Sequence, residues 1–231
     1  ERWRLADKVA QSDFVACISH FARSQAMLNS APEHWGKLHI IHCGVFPENY
    51  QSVETSDGPI GLVFVGRIAA VKGLRVLIDA LARLKKRGVD FKLTIVGDGD
   101  DRKHLEKAAS HLGDAVHFAG YQSQETVAQI LSEADALVLP SFAEGVPVVL
   151  MEAMASARPV IATRVAGVAE LVEDGGSGFV VAPGDAASLA DRIETLGADP
   201  ALRAKMGQAG RATVTADFDI RKEASRLSGL F

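Results

Sequence analysis

The sequence predicts an α/β protein built on a doubly wound, Rossmann-like parallel sheet. Three observations carry that expectation. From residue 61 onward, short apolar runs alternate with segments of helical periodicity. The runs are continuously apolar, as strands buried on both faces are. The glycines and charges that break the pattern fall just after the runs, beyond the carboxyl ends of the strands, where such sheets bind ligands.

The elements follow in chain order. Residues 13–18 (DFVACI) read as a strand, 21–28 as a helix and 38–42 as a strand. CGVFPENYQSVETSDGPIG then brings two prolines, three glycines and no periodicity, and reads as a linker. Residues 61–65 (GLVFV) are a strand. In 74–86, Leu74, Leu77, Ile78, Leu81 and Leu84 share one helix face, and Gly88 stops that helix. Strands at 91–96, 116–119, 136–139, 160–163 and 178–181 are separated by helices at 102–112, 124–133 and after Gly145-Val146-Pro147. Residues 186–196 and 200–213 read as closing helices. The division expected is a remnant of a preceding α/β unit over 1–44, a hinge over 45–59, a complete domain over 60–217 and an amphipathic C-terminal helix over 218–231 that packs back on the remnant or mediates self-association.

The 231 residues are 48% hydrophobic and 23% charged, as in ordinary globular proteins. A net charge of −4 gives no basic footprint, so no nucleic-acid partner is expected. No apolar stretch approaches the roughly 20 residues of a spanning helix, so no transmembrane segment is expected. The start, ERWRLADKVAQSDF, lacks the apolar core and cleavage site of a signal peptide and has no Met, which suggests a fragment. Cys17 and Cys43 have no metal or redox spacing. Each lies in an apolar run read as a strand, so buried reduced thiols in a cytoplasmic protein are expected. The histidines show no zinc-ligand spacing, though His20, after a strand end, can face a cleft.

Three constellations could carry chemistry. Gly66-Arg67 follows a strand, and Lys72-Gly73 precedes a helix. A cation at a helix N-terminus lacks support from the dipole; a bound phosphate would supply it. Solvated surface charges are the alternative. Gly97-Asp98-Gly99 invites a dinucleotide fingerprint, but Arg102 stands where the third glycine belongs; a tight turn bordering a nucleotide remains. In SFAEGVPVVLMEAMA (141–155), Pro147 suits a first helical turn, leaving amide donors near Gly145, Val146 and Val148 aimed at the rim. Glu144 lies in the loop and Glu152 inside the helix. A carboxylate accepts two hydrogen bonds from a vicinal diol, so the pair could grip two hydroxylated rings flanking a diphosphate. Otherwise Glu144 is a helix-start charge and Glu152 an exposed helix residue, although apolar neighbours crowd Glu152.

FVGRIAAVKG (64–73), VGDG (96–99), GY (120–121), LPSFAEGVPVVLMEAMASARPVIAT (139–163) and GSGFVVAPGDAASLADRI (176–193) resemble the nucleotide-sugar-binding half of retaining GT-B glycosyltransferases. The group is glycosyltransferase family four, or glycosyl transferases group one. CISHFAR (17–23) and IIHCGV (40–45) resemble the end of that family's N-terminal domain and its hinge, with Cys-Gly-Val where Asn-Gly-Val is usual. VAGVA (165–169), followed by Glu170, is similar to the family's VGGVAE turn.

The resemblance implies the C-terminal half of a GT-B fold. The activity implied is hexosyl transfer, with retention, from a UDP-, GDP- or ADP-sugar to a glycan or lipid-linked acceptor bound by the missing N-terminal domain. Arg67 and Lys72 would neutralise the diphosphate, Glu144 contact the transferred sugar and Glu152 bind the ribose. Gly145, Val146 and Val148 would offer amides, while Gly66, Gly97, Gly120 and Tyr121 border the nucleotide. No cofactor and no metal are expected, since the two cations would replace a divalent ion. The 231 residues alone are expected to be inactive, in a protein that is cytoplasmic, with peripheral membrane association left open. A glycosidase also uses paired carboxylates but needs no phosphate clamp. A nicotinamide oxidoreductase needs the absent glycine. A non-catalytic nucleotide-binding module is the standing alternative.

Overall fold

A computed structural model describes residues 4–53 and 58–231. Expectations for the extreme N-terminus and for the middle of the linker, at 54–57, lie outside the described residues. The chain opens with α1 (Leu5–Gln11), β1 (Val15–Cys17), α2 (His20–Leu28) and β2 (Leu38–Ile40). β1 and β2 pair in parallel as a separate two-stranded sheet. Helix α1 has no counterpart in the sequence reading, because Val9 is its one buried residue and no apolar stripe marks it. α2 starts at Ser19, whose Oγ accepts the Ala22 N–H at 3.0 Å.

Cys43 is not in a strand, contrary to the sequence expectation, and is only partly buried; Cys17 is buried, and both thiols are free. The backbone around Cys43 is committed elsewhere. His42 N–H donates to Glu223 at 2.8 Å, and Val45 N–H donates to the Phe218 carbonyl at 3.0 Å.

The large sheet is built from β3 (Ile60–Val65), β4 (Phe91–Val96), β5 (Val116–Gly120), β6 (Ala136–Leu139), β7 (Val160–Thr163) and β8 (Gly178–Val181). Its order is β5-β4-β3-β6-β7-β8 and every pairing is parallel. The connecting helices are α3 (Leu74–Lys86), α4 (Arg102–Ala109), α5 (Gln124–Glu133), α6 (Val148–Ala155) and α7 (Val168–Leu171); α8 (Ala186–Ala198), α9 (Pro200–Asp217) and α10 (Ile220–Ser228) close the chain. The winding reverses between β3 and β6, so the crevice beyond their carboxyl ends is the switch point at which such sheets bind ligands.

Residue chemistry explains the elements. On α3 the five predicted apolar residues are buried, and Arg83, Lys85 and Lys86 sit in its last turn, where the dipole favours cations. β6, β7 and β8 are buried along their whole length, which is why they read as unbroken apolar runs. Helix α9 begins with Asp199 accepting the Leu202 N–H at 2.9 Å and Pro200 following. The helix expected over 102–112 stops at Ala109 and tightens into a 3-10 turn, Ser110–Ala115, with Gly113 at φ +64°.

The start of the expected linker is part of the large core. Val45 and Tyr50 are both buried against it. Val45 bridges in parallel to Asp219, and Ile220 N–H returns a bond to the Val45 carbonyl at 2.9 Å. The C-terminal segment thereby lies back on the N-terminal region, with Phe231 edge-on to Phe14 at 5.0 Å.

At the amino ends of the strands, Asp135 accepts the Gly61 N–H at 2.7 Å and faces Arg203 at 3.2 Å. With Arg158 these groups line a cavity of about 370 Å³. It lies at the edge of the sheet opposite the rim, and its charges brace β3, the start of β6 and α9. Among the described residues no helix is long and apolar enough to cross a membrane.

Candidate functional site

Three neighbouring strand ends form one wall of the rim. Gly66 N–H, after β3, donates to the Val96 carbonyl at 2.9 Å, and Gly97 N–H, after β4, donates to the Gly120 carbonyl at 2.8 Å. Gly97 has φ +127°, and a Cβ there would lie 2.0 Å from the Gly66 oxygen. This close approach requires glycine. Tyr121 follows at the outside, 86% exposed. Gly66, Gly97, Gly120 and Tyr121 are thus gathered at one edge.

Arg67 projects from that wall. It is exposed, and among the described residues it makes no hydrogen bond or ion pair. Lys72 ends a 3-10 turn, Ala70–Lys72. Gly73 follows in the left-handed region at φ +67°, where a Cβ would meet the Pro140 carbonyl oxygen at 2.0 Å. That contact seats Lys72 over the loop after β6. Lys72 Nζ lies 2.6 Å from Glu144 Oε1, the same oxygen that accepts the Ser141 hydroxyl at 2.6 Å. The Lys72 side chain is 22% exposed and the Glu144 side chain 9%. Two residues read separately from the sequence, as a phosphate cation and a sugar carboxylate, are therefore one ion pair.

Pro147 is the N-cap of α6, with extended backbone at ψ 118°, and not a residue of its first turn as the sequence suggested. Val148 begins the helix one position later than that reading. The amides of Gly145, Val146 and Val148 donate to no protein acceptor among the described residues. They are free donors at a helix start.

Glu152 lies one turn into α6, half-buried. Its Oε1 accepts the Tyr50 hydroxyl at 3.0 Å, and its carboxylate also bonds the Gln124 side chain. Burial pushes the Glu152 carboxyl above its usual range, against the two hydrogen bonds that favour its ionised form. Burial and the facing carboxylate likewise raise the Tyr50 hydroxyl far above the ordinary tyrosine value, so it remains a donor. Sequence reasoning missed Tyr50, Gln124 and Ser141. Tyr50 falls in an aperiodic stretch, and nothing local marks it.

A buried carboxyl with a raised pKa contributes stability below its unfolded value and loses it as pH rises through the folded value. Glu152→Gln keeps an oxygen for Tyr50 and removes the charge. The expected result is a Tm above wild type by a margin that grows from pH 4 to pH 7, measured by calorimetry at each pH. An unchanged margin across that range would remove burial of the charge as the cause.

The model of the family described as "Glycosyl transferases group 1" matches residues 45–213. The chain belongs to the glycosyl transferases group 1 family. The domain so matched begins at Val45, the first residue of the segment that packs into the core. Two curated relatives agree. Alpha-D-kanosaminyltransferase of Streptomyces kanamyceticus is 38% identical over 177 residues, 76% of this chain and 46% of the relative. The amylovoran biosynthesis glycosyltransferase AmsK of Erwinia amylovora is 33% identical over 220 residues, 91% of this chain and 54% of the relative. Sucrose-phosphate synthase from Thermosynechococcus elongatus superposes with a TM-score of 0.84 at 30% identity, over 100% of this chain and 61% of that one. The sheet and its helices are thus those of this group 1, GT-B architecture, and the chain spans about half the length of these curated relatives.

Proposed function

We propose that the whole protein is a retaining GT-B hexosyltransferase of glycosyltransferase family four, and that this chain is its donor-binding half. The observation that carries the reading is Arg67: a cation with no partner among the described residues, at the same switch point as the free amides after β6. A nucleoside diphosphate leaving group develops negative charge as the sugar departs. Arg67, Lys72 and the amides of Gly145, Val146 and Val148 stabilise that charge where it forms, which accelerates the chemical step. In this reading no divalent metal is needed.

Glu152 takes the ribose hydroxyls. Glu144 takes a hydroxyl of the transferred sugar once the diphosphate draws Lys72 away. Gly66, Gly97, Gly120 and Tyr121 border the base. The donor is a UDP-, GDP- or ADP-sugar. The acceptor, a glycan or lipid-linked glycan, binds outside these 231 residues, so the chain alone binds nucleotide without transferring sugar. The setting is cytoplasmic, at the membrane surface where the acceptor is lipid-linked.

Calorimetric titration with UDP, GDP and ADP tests the reading. One nucleotide binds, and Arg67→Ala and Glu152→Gln each weaken it about tenfold or more, the scale of a lost charge-assisted bond. Binding that neither substitution weakens would overturn the assignment of these residues.

A further inference from the structure

The N-terminus of α2 carries an unusual partner. Glu170 Oε2 accepts the His20 N–H at 2.7 Å, and Oε1 accepts the Phe21 N–H at 2.8 Å. These are the first two amides of α2, which have no acceptor within a helix. Ser19 satisfies only Ala22. The positive end of the helix thus relies on a carboxylate about 150 positions away in the chain.

The element that holds Glu170 also touches the loop after β6. Gly167, which caps α7, donates its N–H to the Gly145 carbonyl at 3.1 Å. A Cβ on Gly167 would lie 2.7 Å from Val146 Cγ2 and 3.0 Å from Ser19 Cβ. A Cβ on Gly145 would meet Ile18 Cδ1 at 3.2 Å. The turn leading into α2, the start of α7 and the Gly145-Val146 loop are therefore in mutual contact, with no room between them.

We infer that Glu170 is a positioning residue that locks the N-terminal α/β unit onto the Gly145–Val148 loop, so that the two move as one. What that loop binds rests on the donor-site reading above; the link itself rests on these contacts. Cutting the link lets the N-terminal unit shift and leaves the loop without its backing. The loop then orders less well around a diphosphate, and the energy of seating α2 is no longer coupled to nucleotide binding.

Hydrogen exchange on the 231-residue chain tests the link, comparing Glu170→Ala and Glu170→Gln with Ser19→Ala. Ser19→Ala removes the local cap alone and speeds exchange only near the start of α2. Glu170→Ala speeds exchange there and also at Gly167 and Leu150, whose amides bond the Gly145 and Pro147 carbonyls. Glu170→Gln, which retains an acceptor oxygen, gives a smaller change at the same places and serves where the alanine variant unfolds. With UDP, GDP and ADP as probes, the nucleotide that binds slows exchange at His20 and Phe21 in the wild type, and Glu170→Ala weakens its binding about fivefold or more. A Glu170→Ala effect confined to α2, like that of Ser19→Ala, overturns the inference. A wild-type chain that binds none of the three nucleotides overturns the donor reading instead, and exchange without ligand still decides the link.

Discussion

Lys72→Ala is expected to destabilise the chain by about 3 kcal/mol, the lower end for breaking a buried ion pair. It leaves Glu144 without its cation, with a side chain only 9% exposed and one remaining hydroxyl partner, Ser141. That loss is a large part of the roughly 5–15 kcal/mol by which domains are stable. The lower end applies because Lys72 keeps some contact with water. Urea denaturation of Lys72→Ala, Glu144→Gln and the double variant separates the contributions. The double variant should recover most of the loss, since no charge is then left without a partner. Nucleotide binding should not recover, because the cation is absent in both. A double variant as unstable as Lys72→Ala would show that the 2.6 Å contact is not what holds Glu144. Glu144 neutralises Lys72 within the chain. In the proposed donor site the same pair would serve a second state, in which a diphosphate offers the lysine a stronger anion and leaves the carboxylate to a sugar hydroxyl.

Much of the architecture was legible because burial writes its period into the sequence. α3, α5, β4, β6, β7 and β8 have the limits that periodicity assigns, since a two-sided sheet needs continuous apolar strands and its covering helices need one apolar face. The residues of the rim were legible for a related reason: glycines and charges interrupt the apolar pattern where each strand ends. Their partners were not. Lys72 and Glu144 are 72 positions apart, Tyr50 and Glu152 are 102 apart, and Glu170 meets α2 across about 150. No local pattern encodes such distances. The linker shows the same gap. Residues 45–50 have no periodicity because they are held by single anchors, Val45 to Phe218 and Tyr50 to Glu152.

Gly97→Ala is expected to cost more than about 4 kcal/mol and to leave the chain largely unfolded, an effect of the size reserved for backbone collisions and buried charges. Two causes add. The backbone at φ +127° excludes a side chain, and the new Cβ would lie 2.0 Å from the Gly66 carbonyl oxygen. That oxygen belongs to backbone and cannot swing aside. Moving it separates the ends of β3 and β4, whose bond from Gly66 N–H to Val96 is made at the same place. Gly88→Ala isolates the first cause: its φ is +75° with nothing within 4 Å of the added carbon, so about 1 kcal/mol is expected. Urea midpoints for the two variants then measure the collision by difference. Two equal midpoints would mean that the rim relaxes freely. Arg67 would then not be held by the glycine contacts, and a preorganised phosphate site would lose its physical basis. A large difference means that the backbone approach which makes Gly97 obligatory also fixes the position of Arg67, so that fold and site share one constraint.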